Sequence, residues 1–211
     1  MNRPCRWAAS VAVLVLALAG CTEAPSVVRI RPTAPASVPA DGPTAPNPSL
    51  AAAKRAAGIP DCPVSSPTTA PVPGGLPDAT LPCLGGGRDV RLAGLRGKPM
   101  VINLWAQWCG PCRTEAPFLA EVAGSSTVRV LGVDHADPQP ALAVQFAADA
   151  SWHYPQLYDS AKVLGTALQI TAIPQTLFVR ADGTIAYRNT VPFRSAEQIR
   201  QLARTHLSVA L

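Results

Sequence analysis

Apolar and polar positions divide this chain into three stretches of different texture. Arg3 and Arg6 precede an apolar run from Trp7 to Ala19, shorter than the roughly 20 residues a membrane-spanning helix needs. From Thr22 to about Gly75 neither a helical nor a strand period is kept, apart from an Ala-rich patch at Leu50 to Ala57. Beyond Gly75 the periods return. Asp89 to Leu92 reads as a short strand, and Met100 to Ala106 is an almost unbroken apolar run of the kind found in a buried central strand. A helix should start beside Cys109 and run to about Ala123, followed by a second buried strand at Val128 to Val133. Pro138 to Ala150 and Ser160 to Gln169 have helical spacing of apolar residues. Gln175 to Val179 and Thr184 to Arg188 form a hairpin around Ala181-Asp182-Gly183, and Ser195 caps an amphipathic helix ending at Leu207. The order βαβα then ββα predicts an α/β domain, a central mixed sheet flanked by helices around one core.

Composition separates the stretches further. Of the 23 prolines, 14 fall between Pro25 and Pro82, against an average proline share of about 5%. A segment so rich in Pro, Ala, Ser and Thr cannot bury enough apolar surface to offset its ordering entropy. Residues 21–75 therefore read as a disordered tether, which at about 3.1 Å per residue could reach roughly 150 Å. The short run before it has the form of a secretory signal over residues 1–20. It closes with Leu18-Ala19-Gly20-Cys21, which resembles the lipobox of bacterial lipoproteins. That resemblance implies that Cys21 is lipidated and anchors the chain to the outer face of the cell membrane, in the cell envelope. The net charge of +5 is spread over singly scattered basic residues, so no nucleic-acid partner is indicated.

The chemistry is concentrated in Trp108-Cys109-Gly110-Pro111-Cys112, directly after a buried strand and at the start of a helix. There Cys109 lies at the positive end of the helix dipole, with free backbone N–H groups near its sulfur, which favours its thiolate and makes it the nucleophile. Cys112, one turn deeper on the same side, is placed to form a disulfide with Cys109 and to act as the resolving thiol. Proline at 111 is tolerated because its missing N–H would find no partner in the first turn. A Cys-x-x-Cys pair can also be half a zinc site. Zinc needs further ligands, however, and His135, His153 and His206 stand alone, reading as surface or loop residues. No metal and no cofactor is expected.

Asn103-Leu-Trp-Ala-Gln-Trp-Cys-Gly-Pro-Cys-Arg-Thr-Glu-Ala-Pro117 resembles the active-site segment of the thioredoxin superfamily, and Pro-Cys-Arg-x-Glu-x-Pro resembles its TlpA/ResA/CcmG-like extracytoplasmic branch. The similarity covers residues 76–211 and implies a thioredoxin-like fold with the helix-bearing insertion of that branch. It further implies a cis Pro174 facing the dithiol, with the Ile173 backbone pairing with an extended substrate segment. Trp108 would add a hydrophobic rim for docking. Plain thioredoxins often carry a buried Asp where this chain has Asn103, which cannot titrate. Glu115 matches the Glu of the branch motif and is a candidate for proton work near the thiols; the alternative is an exposed Glu that merely suits the helix dipole.

Of the six cysteines Cys5 falls in the expected signal, which leaves Cys62 and Cys83; in an oxidising compartment these are expected to form a structural disulfide. Closing that loop would contribute about 3 kcal/mol in the chain-entropy model; a second redox pair is the alternative. The chain is thus expected to be a protein-disulfide oxidoreductase acting on disulfide- or dithiol-containing exported proteins. Gly-Pro between the cysteines and Ile173 resemble reducing thioredoxins, whose potential is about −270 mV against roughly −120 mV for a strong oxidant. A reductant outside the membrane needs recharging, which implies a membrane electron donor of the CcdA or DsbD kind, with apocytochrome c as the leading client. Three other readings stand: an oxidase that installs disulfides in exported proteins, a peroxidase of the peroxiredoxin type, and a non-catalytic binding lipoprotein.

Overall fold

The computed structural model describes residues 47–211; the expected signal, the lipidation site Cys21 and the first part of the tether lie outside the described residues. The order is α1 (Pro48–Ala56), β1 (Thr80–Leu81), β2 (Val90–Arg91), β3 (Met100–Trp105), α2 (Gly110–Ala123), β4 (Arg129–His135), α3 (Pro140–Asp149), β5 (Gln156–Asp159), α4 (Val163–Leu168), β6 (Gln175–Val179), β7 (Ile185–Asn189) and α5 (Ala196–Leu207). Five strands form one mixed sheet in the order β5-β4-β3-β6-β7, with β3, β4 and β5 parallel and β6 and β7 antiparallel. β1 and β2 make a separate two-stranded ribbon. This is a thioredoxin-like α/β fold.

Strand β3 runs through the middle of the sheet and is buried on both faces, which is why its sequence is apolar without alternation. The pleat still sorts its side chains. Val101 and Trp105 pack with Leu119 of α2, Phe146 of α3 and Ile199 of α5. Met100, Ile102 and Leu104 pack on the other face with Leu81, Leu92, Leu164 of α4 and the Cys62–Cys83 pair. On the first face Trp105, Phe146 and Trp152 make mutual ring contacts at 4.9–5.2 Å. Both indoles find acceptors, Trp105 Nε1 on Gln156 Oε1 and Trp152 Nε1 on the Ala116 carbonyl, each at 3.0 Å. Gly132 of β4 is needed here, since a Cβ would collide with the Gln156 carboxamide and the Trp105 indole nitrogen.

The structure corrects the sequence expectation in three places. First, the ordered domain starts well before residue 76. Asn47 caps α1 by accepting from the Ser49 and Leu50 amides, and Lys54, Ile59 and Cys62 are buried. The Pro-rich stretch after Cys62 has little apolar surface, but the domain supplies hydrogen bonds to its backbone. The Ser66 amide donates to the Gly94 carbonyl at 3.1 Å, Arg91 Nη1 to the Thr69 carbonyl at 2.8 Å and Arg96 Nη2 to the Ala70 carbonyl at 3.2 Å. The Cys62–Cys83 disulfide fastens the same stretch. Second, β5 escapes the pattern reading because two of its four residues, Gln156 and Asp159, are buried polar groups. Third, α4 is only Val163–Leu168: the Asp159 carboxylate accepts from the Val163 and Leu164 amides, and Lys162 takes a left-handed φ of 58° that starts the helix late.

At the C-terminal helix the expected cap is present, with Ser195 Oγ accepting from the Gln198 amide at 3.3 Å. Ser195→Ala is expected to cost about 1 kcal/mol, read as a lower denaturant midpoint with an unchanged slope.

Candidate active site

Strand β3 ends at Trp105, and the chain turns through Ala106 to Trp108 into α2, with Cys109 at the N-cap. Cys109 and Cys112 are joined by a disulfide. The Cys112 amide points at Cys109 Sγ from 3.2 Å, an orphan N–H of the first helical turn directed at the sulfur. That contact and the helix dipole both favour negative charge on Cys109 when the bond opens. Cys112 is fully buried, whereas Cys109 is 4% exposed. The asymmetry has the expected direction, but Cys109 is more covered than a free nucleophile, because the Ile173 carbonyl lies 3.8 Å from its sulfur.

The Ile173-Pro174 peptide is cis, as the family resemblance implied. A groove of about 400 Å³ is lined by Trp108 and Ile173, the neighbours of Cys109, together with residues 170–172, His135, Ala136 and Lys162. Trp108 is 54% exposed, so its apolar face is available at the rim. Thus Ile173, distant in sequence, is brought beside Trp108 and Cys109.

Glu115 follows Cys112 by three residues on α2 and so shares its inward face. It is 1% exposed, which removes the reading of a surface Glu that suits only the dipole. Its Oε1 accepts from Asn103 Nδ2 at 2.8 Å and its Oε2 from the Phe193 amide at 3.0 Å. Burial pushes its carboxyl up from an ordinary 4.5 to about 6, although both hydrogen bonds work in the opposite direction. Asn103 also donates to Thr176 Oγ1 at 3.0 Å, while its own Oδ1 has no partner.

Several features of this end of the sheet were not legible in the sequence. His135, expected at the surface or in a loop, is buried at the end of β4 with Nδ1 2.8 Å from Asp159 Oδ2. The cause is the unrecognised β5, which sets His135 beside Asp159 in parallel register. Asp134, the cross-strand neighbour of Trp105, is fully buried with both carboxyl oxygens unpartnered. Burial, and then the nearby Asp137 charge, push its carboxyl up to about 9, so it is neutral at pH 7.

Comparison with known proteins agrees with this geometry. The AhpC/TSA family profile matches residues 74–188. The chain belongs to the AhpC/TSA family. It is 35% identical to the thiol:disulfide interchange protein DsbE of Pseudomonas fluorescens biotype C over 113 residues, covering 52% of this chain and 61% of that one. It is 32% identical to the thiol:disulfide interchange protein CycY of Rhizobium leguminosarum bv. viciae over 115 residues, 54% of this chain and 58% of that one. The chain thus spans less than two thirds of the length of these relatives. Among solved structures, it resembles a secreted Mycobacterium tuberculosis disulfide oxidoreductase homologous to E. coli DsbE. The TM-score is 0.52 at 27% identity, covering 58% of this chain and 91% of that one. The AhpC/TSA match falls on the thioredoxin-like domain.

Proposed function

We propose that this chain is an extracytoplasmic thiol-disulfide oxidoreductase that reduces disulfides of exported proteins, with Cys109 attacking and Cys112 resolving. The observation that carries the reading is the Cys109 sulfur at the α2 N-cap, facing the Cys112 amide and flanked by the Ile173 carbonyl. An extended client segment would pair with the Ile173 backbone, and Pro174 would shape that edge. Trp108 supplies apolar contact, Glu115 handles the proton of the inner thiol, and Cys62–Cys83 closes the domain's N-terminal segment. The DsbE and CycY relatives are thiol:disulfide interchange proteins, which supports the same chemistry. Within that reading we place the chain in the TlpA/ResA-like branch, held to the membrane through a lipid on Cys21, recharged by a membrane donor of the CcdA or DsbD kind, and serving apocytochrome c in cytochrome c maturation.

The reading is tested by insulin reduction with dithiothreitol as the electron source. The full chain is expected to accelerate turbidity, and Cys109→Ser is expected to match the uncatalysed control. Absence of acceleration by the full chain would overturn the catalytic reading. Equilibration of the Cys109–Cys112 pair with glutathione fixes the direction: a pair as oxidising as the strong oxidants, near −120 mV, would replace the reductant with an oxidase.

A further inference from the structure

Lys54 lies in α1, the helix that packs against α3, and is 4% exposed. An ammonium taken out of water this far needs a partner for each of its three protons. Lys54 Nζ lies 2.7 Å from the Gly86 carbonyl, 3.2 Å from Asp61 Oδ1 and 3.1 Å from Cys83 Sγ. The loop that receives it is shaped for the purpose. Gly85, Gly86 and Gly87 all have positive φ, and a Cβ on Gly85 would press on the Lys54 side chain at 3.0 Å. Two of the three contacts are good acceptors. The third is a disulfide sulfur, a weak one.

The two sulfurs of Cys62–Cys83 therefore have opposite surroundings. Cys83 Sγ faces the Lys54 ammonium, and Cys62 Sγ faces the Gln156 carbonyl oxygen at 3.2 Å. A thiolate at Cys83 would convert the weak contact into a charge-assisted one in a low-dielectric site. A thiolate at Cys62 would be repelled by the carbonyl, whereas a thiol there could donate to it. The environment suits the reduced pair, as thiol and thiolate, better than it suits the disulfide.

We propose that Cys62–Cys83 is a second, reversible redox site in this protein, in which Lys54 stabilises Cys83 as the departing thiolate. A dithiol reductant supplies the electrons. One of its thiolates bonds to Cys62 Sγ, the Cys62–Cys83 bond breaks, and the electron pair leaves on Cys83 beside Lys54. The second thiolate of the reductant then attacks the mixed disulfide and closes its own disulfide. Cys62 departs and takes up a proton, which it shares with the Gln156 carbonyl. Both cysteines are nearly covered, 3% and 4% exposed, so exchange is slow and the effect of Lys54 is read at equilibrium. The inference does not depend on the activity proposed for Cys109 and Cys112.

The experiment uses the full chain carrying Cys5→Ser, Cys21→Ser, Cys109→Ser and Cys112→Ser, so that only this pair exchanges. After equilibration in dithiothreitol redox buffers, free Cys62 and Cys83 are counted by alkylation and peptide mapping. Lys54→Met is expected to lower the equilibrium constant for reduction about tenfold or more, the scale of a single buried charge contact. An unchanged or increased constant overturns the proposal. Should Lys54→Met fail to fold, thiolate absorbance decides with Lys54 intact. In the same background, Cys83 in the Cys62→Ser chain should ionise about one pH unit or more below Cys62 in the Cys83→Ser chain. Equal or inverted midpoints overturn it.

Discussion

Cys112→Ser, purified from the cell envelope without reductant, should carry partner proteins covalently bound through Cys109, and Cys109→Ser should carry few while losing activity on the order of a thousandfold or more. Thiol-disulfide exchange passes through a mixed disulfide whose lifetime is set by the resolving thiolate. Among the described residues, only Cys109 combines the helix N-cap, the amide directed at its sulfur and the neighbouring Ile173 edge on which a client strand can lie. Cys112 is fully buried and bonded to Cys109, so it can reach an intermediate on Cys109 but not an incoming protein. Replacing it leaves the first step intact and blocks the second. Mass spectrometry of the trapped species checks the result and identifies the client. Trapping by Cys109→Ser instead would reverse the roles. Trapping by neither, together with no low-pKa thiol on alkylation, would remove the catalytic reading.

How much of this was legible beforehand depends on where each signal resides. The motif from Asn103 to Pro117 carries strand, turn and helix in consecutive residues, so β3, α2 and the position of both thiols followed from local pattern. The same holds for the hairpin, where Asp182 Oδ1 accepts from the Thr184 amide and Gly183 takes a positive φ. What the pattern could not carry was made by distant partners. α1 and the Pro-rich stretch after it are ordered by Arg91, Arg96, the Gly94 carbonyl and the Cys62–Cys83 bond, none of which alters local composition. β5 is edged by buried polar residues whose partners, Trp105 and His135, belong to other strands. Nothing in the Ala-rich patch at Leu50 to Ala57 marks Lys54 as buried, because its partners lie in the Gly85–Gly87 loop, at Asp61 and at Cys83. Asp134 alternates correctly in β4, yet its burial follows only from the sheet order that sets it between β3 and β5.

Glu115 yields a pH prediction with a defined sign. Its folded carboxyl sits at about 6 against an ordinary 4.5, mainly through burial. The folded state therefore holds the proton more tightly than the unfolded chain does. The stability this confers is complete below about pH 4.5 and is lost as pH rises through about 6, a change on the order of 2 kcal/mol. Glu115→Gln should flatten that part of the stability curve, measured by denaturant unfolding between pH 4 and 7. The substitution can be accommodated. A glutamine has one acceptor where the carboxylate has two, but rotation of the Asn103 carboxamide offers its unpartnered Oδ1 to the new amide nitrogen and leaves the other oxygen for the Phe193 amide. The effect on chemistry is separable from the effect on stability. If Glu115 takes the proton from Cys112 as that thiol attacks, the rate of resolution in wild type should follow a titration near pH 6, and Glu115→Gln should lose that limb and slow the step on the order of a hundredfold. Coincident pH profiles for the two proteins, with the stability change still present, would leave Glu115 a buried group that supports the Asn103 and Phe193 contacts and moves no proton.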